Sequence, residues 1–134
     1  MTLQASTAIR AAQANQVDGV IGASAQLIVY SGAEPANPAA APTGTVLVTM
    51  ALPSTWLTSP GTGVKAMSGT WSGVASASGT AGYFRIYDNG ITTCGLQGNV
   101  TLTGGGGDVT INATSITNGQ TITATGFTLT VGNP

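Results

Sequence analysis

The residues able to do chemistry are few and scattered. The chain has no histidine, which removes the commonest general base, the usual metal ligand and any Ser–His or Cys–His pair. Four carboxylates, Asp18, Glu34, Asp88 and Asp108, stand apart from one another. Two of them meeting in the fold would make a glycosidase-like pair, but Asp88 already has a place in an Asp88-Asn89-Gly90 turn. Cys94, the single cysteine, has no basic neighbour in sequence to lower its pKa. It alternates with Leu96 on an apolar strand face and reads as an inert, buried thiol. One cysteine also excludes an intrachain disulfide and a cysteine metal cluster. Lys65 reads as a solvated charge on a strand edge, where it discourages stray pairing. Gly104-Gly105-Gly106-Gly107-Asp108 lacks the Lys-Ser or Lys-Thr and the following helix of a phosphate loop, and reads as a flexible turn. Trp56, Trp71, Tyr83 and Tyr87 either stack on a sugar or anchor a core and an interface. The expectation is a non-enzyme with no catalytic residues, no metal ligands and no cofactor.

Composition narrows the partners. Charged residues are 5% of the 134, with a net charge of −1, against roughly 25% in a usual soluble domain. The surface must therefore be made of hydroxyls, amides, Gly and Ala. Phosphate neutralisation needs several Lys or Arg on one face, and Arg10, Lys65 and Arg85 are far apart, so no nucleic-acid partner is expected. No run approaches the ~20 apolar residues of a spanning helix, so no membrane partner is expected either. Residues 1–16 lack a basic n-region and an apolar h-region, so no signal peptide is expected and synthesis is placed in the cytoplasm. Asn99-Val100-Thr101 and Asn112-Ala113-Thr114 then read as chance glycosylation matches in a Thr-rich chain. A thin core and a surface poor in charge favour self-association.

The elements follow from periodicity. Residues 2–16 form a helix capped by Thr2 or Ser6, with a narrow Ala5-Ile9-Ala12 stripe ended by Asp18-Gly19, or else a flexible arm. Residues 1–22 are thus set apart from a β domain at 23–134. Residues 26–30 read as a strand with two apolar faces, central or covered. Three prolines, Pro35, Pro38 and Pro42, make residues 31–44 an extended loop. In residues 45–52, Val46, Val48, Met50 and Leu52 share a face, with Leu47 the exception. Trp56 and Leu57 pin a loop, and Ser59-Pro60-Gly61 is a turn. Residues 81–97 form a hairpin whose Asn89-Gly90 accepts positive φ. Ile122 and Ala124 are even-numbered while Phe127, Leu129 and Val131 are odd, which requires a bulge at Thr125-Gly126. The expected core is Leu27, Val29, Val46, Val48, Phe84, Ile86, Cys94, Leu96, Val109, Ile111, Phe127 and Leu129. The expected fold class is all-β: an antiparallel β-sandwich or jelly-roll-like barrel with a short N-terminal helix or arm.

Several segments resemble a family of small proteins encoded in the structural gene clusters of tailed bacteriophages. They are Leu27-Ile28-Val29-Tyr30-Ser31-Gly32 with Glu34-Pro35, Gly79-Thr80-Ala81-Gly82-Tyr83-Phe84-Arg85-Ile86-Tyr87-Asp88, Thr92-Thr93-Cys94-Gly95-Leu96-Gln97-Gly98, Gly105-Gly106-Gly107-Asp108, and the Ser6-Thr7-Ala8-Ile9-Arg10 helix start. The resemblance implies a virion component made in the host cytoplasm and does not specify its site in the virion; the preferred role is a capsid decoration or cement protein that binds and stabilises the major capsid protein shell, as a homo-oligomer with a trimer as first guess. It assigns no functional residues. A tail, baseplate or fibre component and a carbohydrate-binding β module are the alternative readings. Candidate contact residues are Leu3, Ile9 and Val17 in the N-terminal arm and Pro35, Pro38 and Pro42 in the proline-rich loop. An extended, proline-stiffened segment loses little entropy on docking.

Overall fold

A computed structural model describes residues 3–130. One helix, α1 (Thr7–Ile21), precedes ten strands: β1 (Gln26–Ser31), β2 (Val46–Ala51), β3 (Leu57–Gly61), β4 (Val64–Met67), β5 (Ser72–Val74), β6 (Gly79–Tyr87), β7 (Cys94–Leu102), β8 (Val109–Ile111), β9 (Ser115–Ile116) and β10 (Thr121–Thr130). The fold is all-β with a barrel-like curl. The strand order is β2-β1-β6-β7-β8-β10-β4-β3, with β5 beside β10 and β9 beside β6. A Val48–Ala75 bridge ties the segment after β5 back to β2, drawing the sheet round toward a ring. The pairs are antiparallel except β7–β8, which is parallel.

That parallel pair has an unusual connection. Parallel neighbours ordinarily need a crossover of a dozen or more residues, yet β7 and β8 are joined by residues 103–108. The chain reverses through Gly104 and Gly106, whose φ of +85° and +80° lie where side chains are strained. Gly107 N–H donates to Thr101 Oγ1 at 2.9 Å, Asp108 N–H to Asn99 Oδ1 at 2.9 Å, and Asn99 N–H to Asp108 Oδ2 at 3.2 Å. The glycine run is thus a hydrogen-bonded, re-entrant turn rather than a flexible connector.

The helix begins where Ser6 Oγ accepts Ile9 N–H at 3.2 Å; Thr2, the other candidate cap, and Val131 lie outside the described residues. It does not stop at Asp18-Gly19 but at Gly22 (φ +93°). An exposed mid-helix glycine costs about 1 kcal/mol, and burial of Ile21 with Val17 against the core outweighs it. The buried face carries Ala14, Val17 and Ile21, not the expected Ala5-Ile9-Ala12 stripe, and Ile9 is exposed. The side chain of Ile21 lies against Gly95 of β7.

Two clusters are buried. The main one lies inside the ring and joins Leu27, Val29, Phe84, Ile86, Val109 and Ile111 to Trp56, Trp71 and Phe127. Its rings interlock: Trp71–Phe127 centroids are 5.5 Å apart, and Phe84–Phe127 meet edge to face at 6.3 Å. The second lies on the outer face of β1 and β6 and holds Ile28, Tyr30, Tyr83 and Tyr87.

The register explains the departures from the expected core. Val29 pairs with Val48 and Tyr30 with Val46, so Leu47 is an extra residue in a bulge. Leu47 turns inward and Val46 is left 37% exposed. A register shift between Ile86 and Tyr87 pairs Tyr87 with Cys94 and Ile86 with Leu96. Cys94 therefore packs on the outer tyrosine cluster and Leu96 on the inner core, each half-buried, as is Leu129. The bulge expected in β10 is present: Ala124 pairs with Ile111 and Gly126 with Thr110, leaving Thr125 extra. Ser59-Pro60-Gly61 belongs to β3, and the turn falls at Thr62-Gly63. Pro60 removes an N–H from this outermost strand and blunts it against stray pairing.

Candidate functional site

The proline-rich loop is a cover. Both faces of β1 are buried, as its apolar run requires, and residues 33–43 shield the outer one. Asn37 shapes the loop, its Oδ1 accepting the N–H groups of Ala39 and Ala40 at 3.0 Å each. Thr43 Oγ1 closes it by donating to Ala33 O at 2.6 Å. The sheet beneath then grips its backbone. Tyr83 OH accepts from Thr43 N–H and donates to Thr43 O, both at 2.8 Å. Arg85 Nη2 donates to Ala40 O at 2.7 Å, and Gln97 Nε2 to Pro35 O at 2.8 Å. Pro35 is half-buried in this contact, whereas Pro38 and Pro42 are exposed on the outer side.

Arg85 is the unexpected member. It is 2% exposed, and carbonyl oxygens and Tyr87 OH (3.5 Å) surround its guanidinium. A buried charge is tolerated when its donors are satisfied; Arg85 Nε alone has no partner. Tyr30 stacks on Tyr83 at 4.9 Å, and its hydroxyl lies 3.0 Å from Tyr87 OH. Burial and this shared bond push Tyr30 well above the usual phenol range. Burial also pushes the Cys94 thiol up, against the pull of the Arg85 charge. A thiol held protonated is a poor nucleophile.

A second constellation lies between α1 and the β3–β4 hairpin. Lys65 is 5% exposed rather than solvated. Its Nζ donates to Asn15 Oδ1 at 3.1 Å and Ser59 Oγ at 3.0 Å and lies 3.5 Å from Asp18 Oδ2. Two ammonium hydrogen bonds and an ion pair thus tie helix to hairpin. The ion pair borders an open cleft of about 330 Å³ that also touches Gly22, Ser54 and Trp56. Trp56 Nε1 donates to Gly22 O at 2.9 Å and completes the helix cap. The charges here hold each other, and none is directed at a ligand.

The Asp88 turn is a third polar cluster. Asp88 Oδ1 accepts Thr92 and Thr93 N–H groups at 2.7 and 3.0 Å, and Oδ2 accepts Thr92 Oγ1. The Thr92 hydroxyl first, then these backbone donors, lower its pKa below the usual carboxylate value. The positive φ expected at Asn89-Gly90 falls instead on Ile91, at 54°.

The remaining candidates divide cleanly. Leu3 (88% exposed) and Ile9 face outward, joined on the helix by Val20 (78%). Val17 packs against the core, so its side chain is committed within the chain. Val20 was missed because the helix was expected to end before it. The four large aromatics Trp56, Trp71, Tyr83 and Tyr87 are all buried, leaving no ring face for a sugar. Among the described residues, no three His, Cys, Asp or Glu side chains are grouped to hold a metal, and no helix is long and apolar enough to cross a membrane. No protein-family model matches the chain, and neither a curated protein nor a solved structure is similar to it.

Proposed function

We propose that the protein is a non-enzymatic structural subunit of a virion, a decoration or cement protein that binds a capsid shell. The observation that carries the reading is where the charged groups go. Lys65 with Asp18, Arg85, Asp88 and Asp108 each hold a helix, a loop or a turn in place. Apart from Glu34 and Asp108, the curled sheet is left with a surface made mostly of hydroxyls, amides and scattered apolar side chains. Such a surface acts by contact area, and many weak contacts repeated over a lattice add through multivalency. With little charge to screen, those contacts vary little with salt. The resemblance of five segments to tailed-phage structural proteins supports a virion component; in this reading the major capsid protein is the partner and a trimer the assembly.

Reconstruction of purified virions tests the reading. Density for this fold at many equivalent positions on the head supports it. Density confined to a tail or baseplate moves the protein to another structural role, and absence from the virion overturns the proposal.

A further inference from the structure

We propose that residues 33–43 are a hinged strap over a binding surface built on Tyr83, Arg85 and Gln97, and that this surface takes an acidic segment of a partner protein whose carboxylate pairs with Arg85. Any assembly can supply such a segment, so the surface stands apart from the capsid reading.

The two faces of the same strands differ in kind. Inward, β1 and β6 present Leu27, Val29, Phe84 and Ile86. Outward they present Tyr30, Tyr83, Arg85 and Tyr87, beside Gln97 of β7. Tyrosine and arginine are the residues that dominate binding energy at protein interfaces, whereas a face needed only as core can be aliphatic throughout.

Arg85 is a buried cation without an anion. Its contacts are the carbonyls of Asn37 (3.4 Å) and Ala40 (2.7 Å) and the Tyr87 hydroxyl (3.5 Å), and none is a carboxylate. Of these, only the Ala40 bond has an ordinary length, and Nε has no partner. Gln97 pairs directly with Arg85 across the strands, and its buried Oε1 lacks a donor. The strap therefore leaves a donor and an acceptor unmet on neighbouring side chains. A guanidinium fork matches the two oxygens of a carboxylate, and neutral carbonyls do not offset its charge. An extended segment carrying Asp or Glu supplies both needs: a carboxylate for Arg85 and a backbone N–H for Gln97.

The strap is built to lift. Pro35 and Ala40 are half-buried in it and the rest of 33–43 is exposed. The apolar cluster beneath, Ile28, Tyr30, Tyr83 and Tyr87, includes none of its residues. Its own bonds, Asn37 Oδ1 with Ala39 and Ala40 N–H and Thr43 Oγ1 with Ala33 O, keep its shape without the sheet. Glycines with φ of +85° and +73°, Gly32 and Gly44, bound it. They lie side by side, since a Cβ added at Gly32 would meet Gly44 Cα at 3.7 Å. Just outside them, Ser31 N–H donates to Thr45 O at 3.0 Å and Thr45 N–H to Ser31 Oγ at 2.9 Å, which clamps the base. Compact surface loops with adjoining ends are frequently functional, and hinges absorb a backbone change at a few residues. Lifting the strap breaks the Arg85 bonds to Asn37 and Ala40 and the Gln97 bond to Pro35. The Tyr83–Thr43 bonds lie beside the hinge.

Titration of the full chain with a short peptide of alternating Gly and Glu, followed by NMR beside its Gly and Gln counterpart, tests this. The Glu peptide should shift the Arg85 Nε–H signal and the backbone signals of residues 33–43, and the Gln peptide neither. A closed strap lowers apparent affinity by the open fraction, about 0.1–10% for a minor state. Asn37→Gly, which loosens the strap, should therefore bind the Glu peptide about tenfold tighter. Arg85→Lys, with circular dichroism unchanged, keeps the charge without the fork and should lose the binding. Peptides that bind alike, shifts centred away from Arg85, or no binding even by Asn37→Gly would each overturn the proposal. Glutarate shifting Arg85 as strongly as the peptide would overturn the protein partner in favour of a small acid.

Discussion

Ile91 carries a cost that its neighbours do not explain. A β-branched residue at φ 54° is strained by about 1 kcal/mol or more, and its side chain is largely exposed. Ile91→Gly should therefore stabilise the chain by about 1 kcal/mol in urea unfolding. The sequence placed a turn here correctly but put the left-handed residue at Asn89-Gly90, because the Asp88 carboxylate's capture of Thr92 and Thr93 cannot be read from a dipeptide preference. That capture also sets a pH dependence. Asp88 is lowered in the folded chain, so its contribution is complete above the ordinary Asp value of about 4 and is lost as pH falls through the folded value. Asp88→Asn should flatten this part of the acid limb when denaturation midpoints are compared from about pH 5 to pH 2. An unchanged limb would mean that other carboxylates set it. Phe84 was legible as core from alternation alone. It is fully buried between Gly98 and Phe127, and Phe84→Ala should cost about 3–5 kcal/mol.

Among the elements, those governed by local periodicity were readable and those governed by distant contacts were not. The β10 bulge followed from parity, since Ala124 and Phe127 cannot share a face on an unbroken strand. The Leu47 bulge left the same kind of trace, visible only as an exception in the alternation. The helix end was misread because Gly19 and Asp18 look like a stop, while the gain from Ile21 comes from β7, far away in sequence. The proline-rich loop was readable as extended but not as a cover, because its fasteners are carbonyl oxygens met by Tyr83, Arg85 and Gln97. Arg85→Ala removes the central fastener and leaves the Ala40 carbonyl unpaired above a void. It should destabilise by about 2–4 kcal/mol and open residues 33–43 to limited proteolysis before the rest of the chain. If the loop stays protected, the tyrosines alone hold it.

At the scale of the whole molecule, one strand contributes to three separate joints. Residues 121–123 of β10 pair with β5, 124–127 with β8, and 128–130 with β4. Until it is added, β5, β8 and β4 have no common neighbour, and the Trp71–Phe127–Phe84 aromatic stack has lost its middle ring. The order of synthesis then matters. At about 5–20 residues per second, residues 26–120 take roughly 5–20 seconds to make, with no β10 for the ring to close around. Through that interval the strands already made stay open and vulnerable, and the ring closes only after β10 has been made.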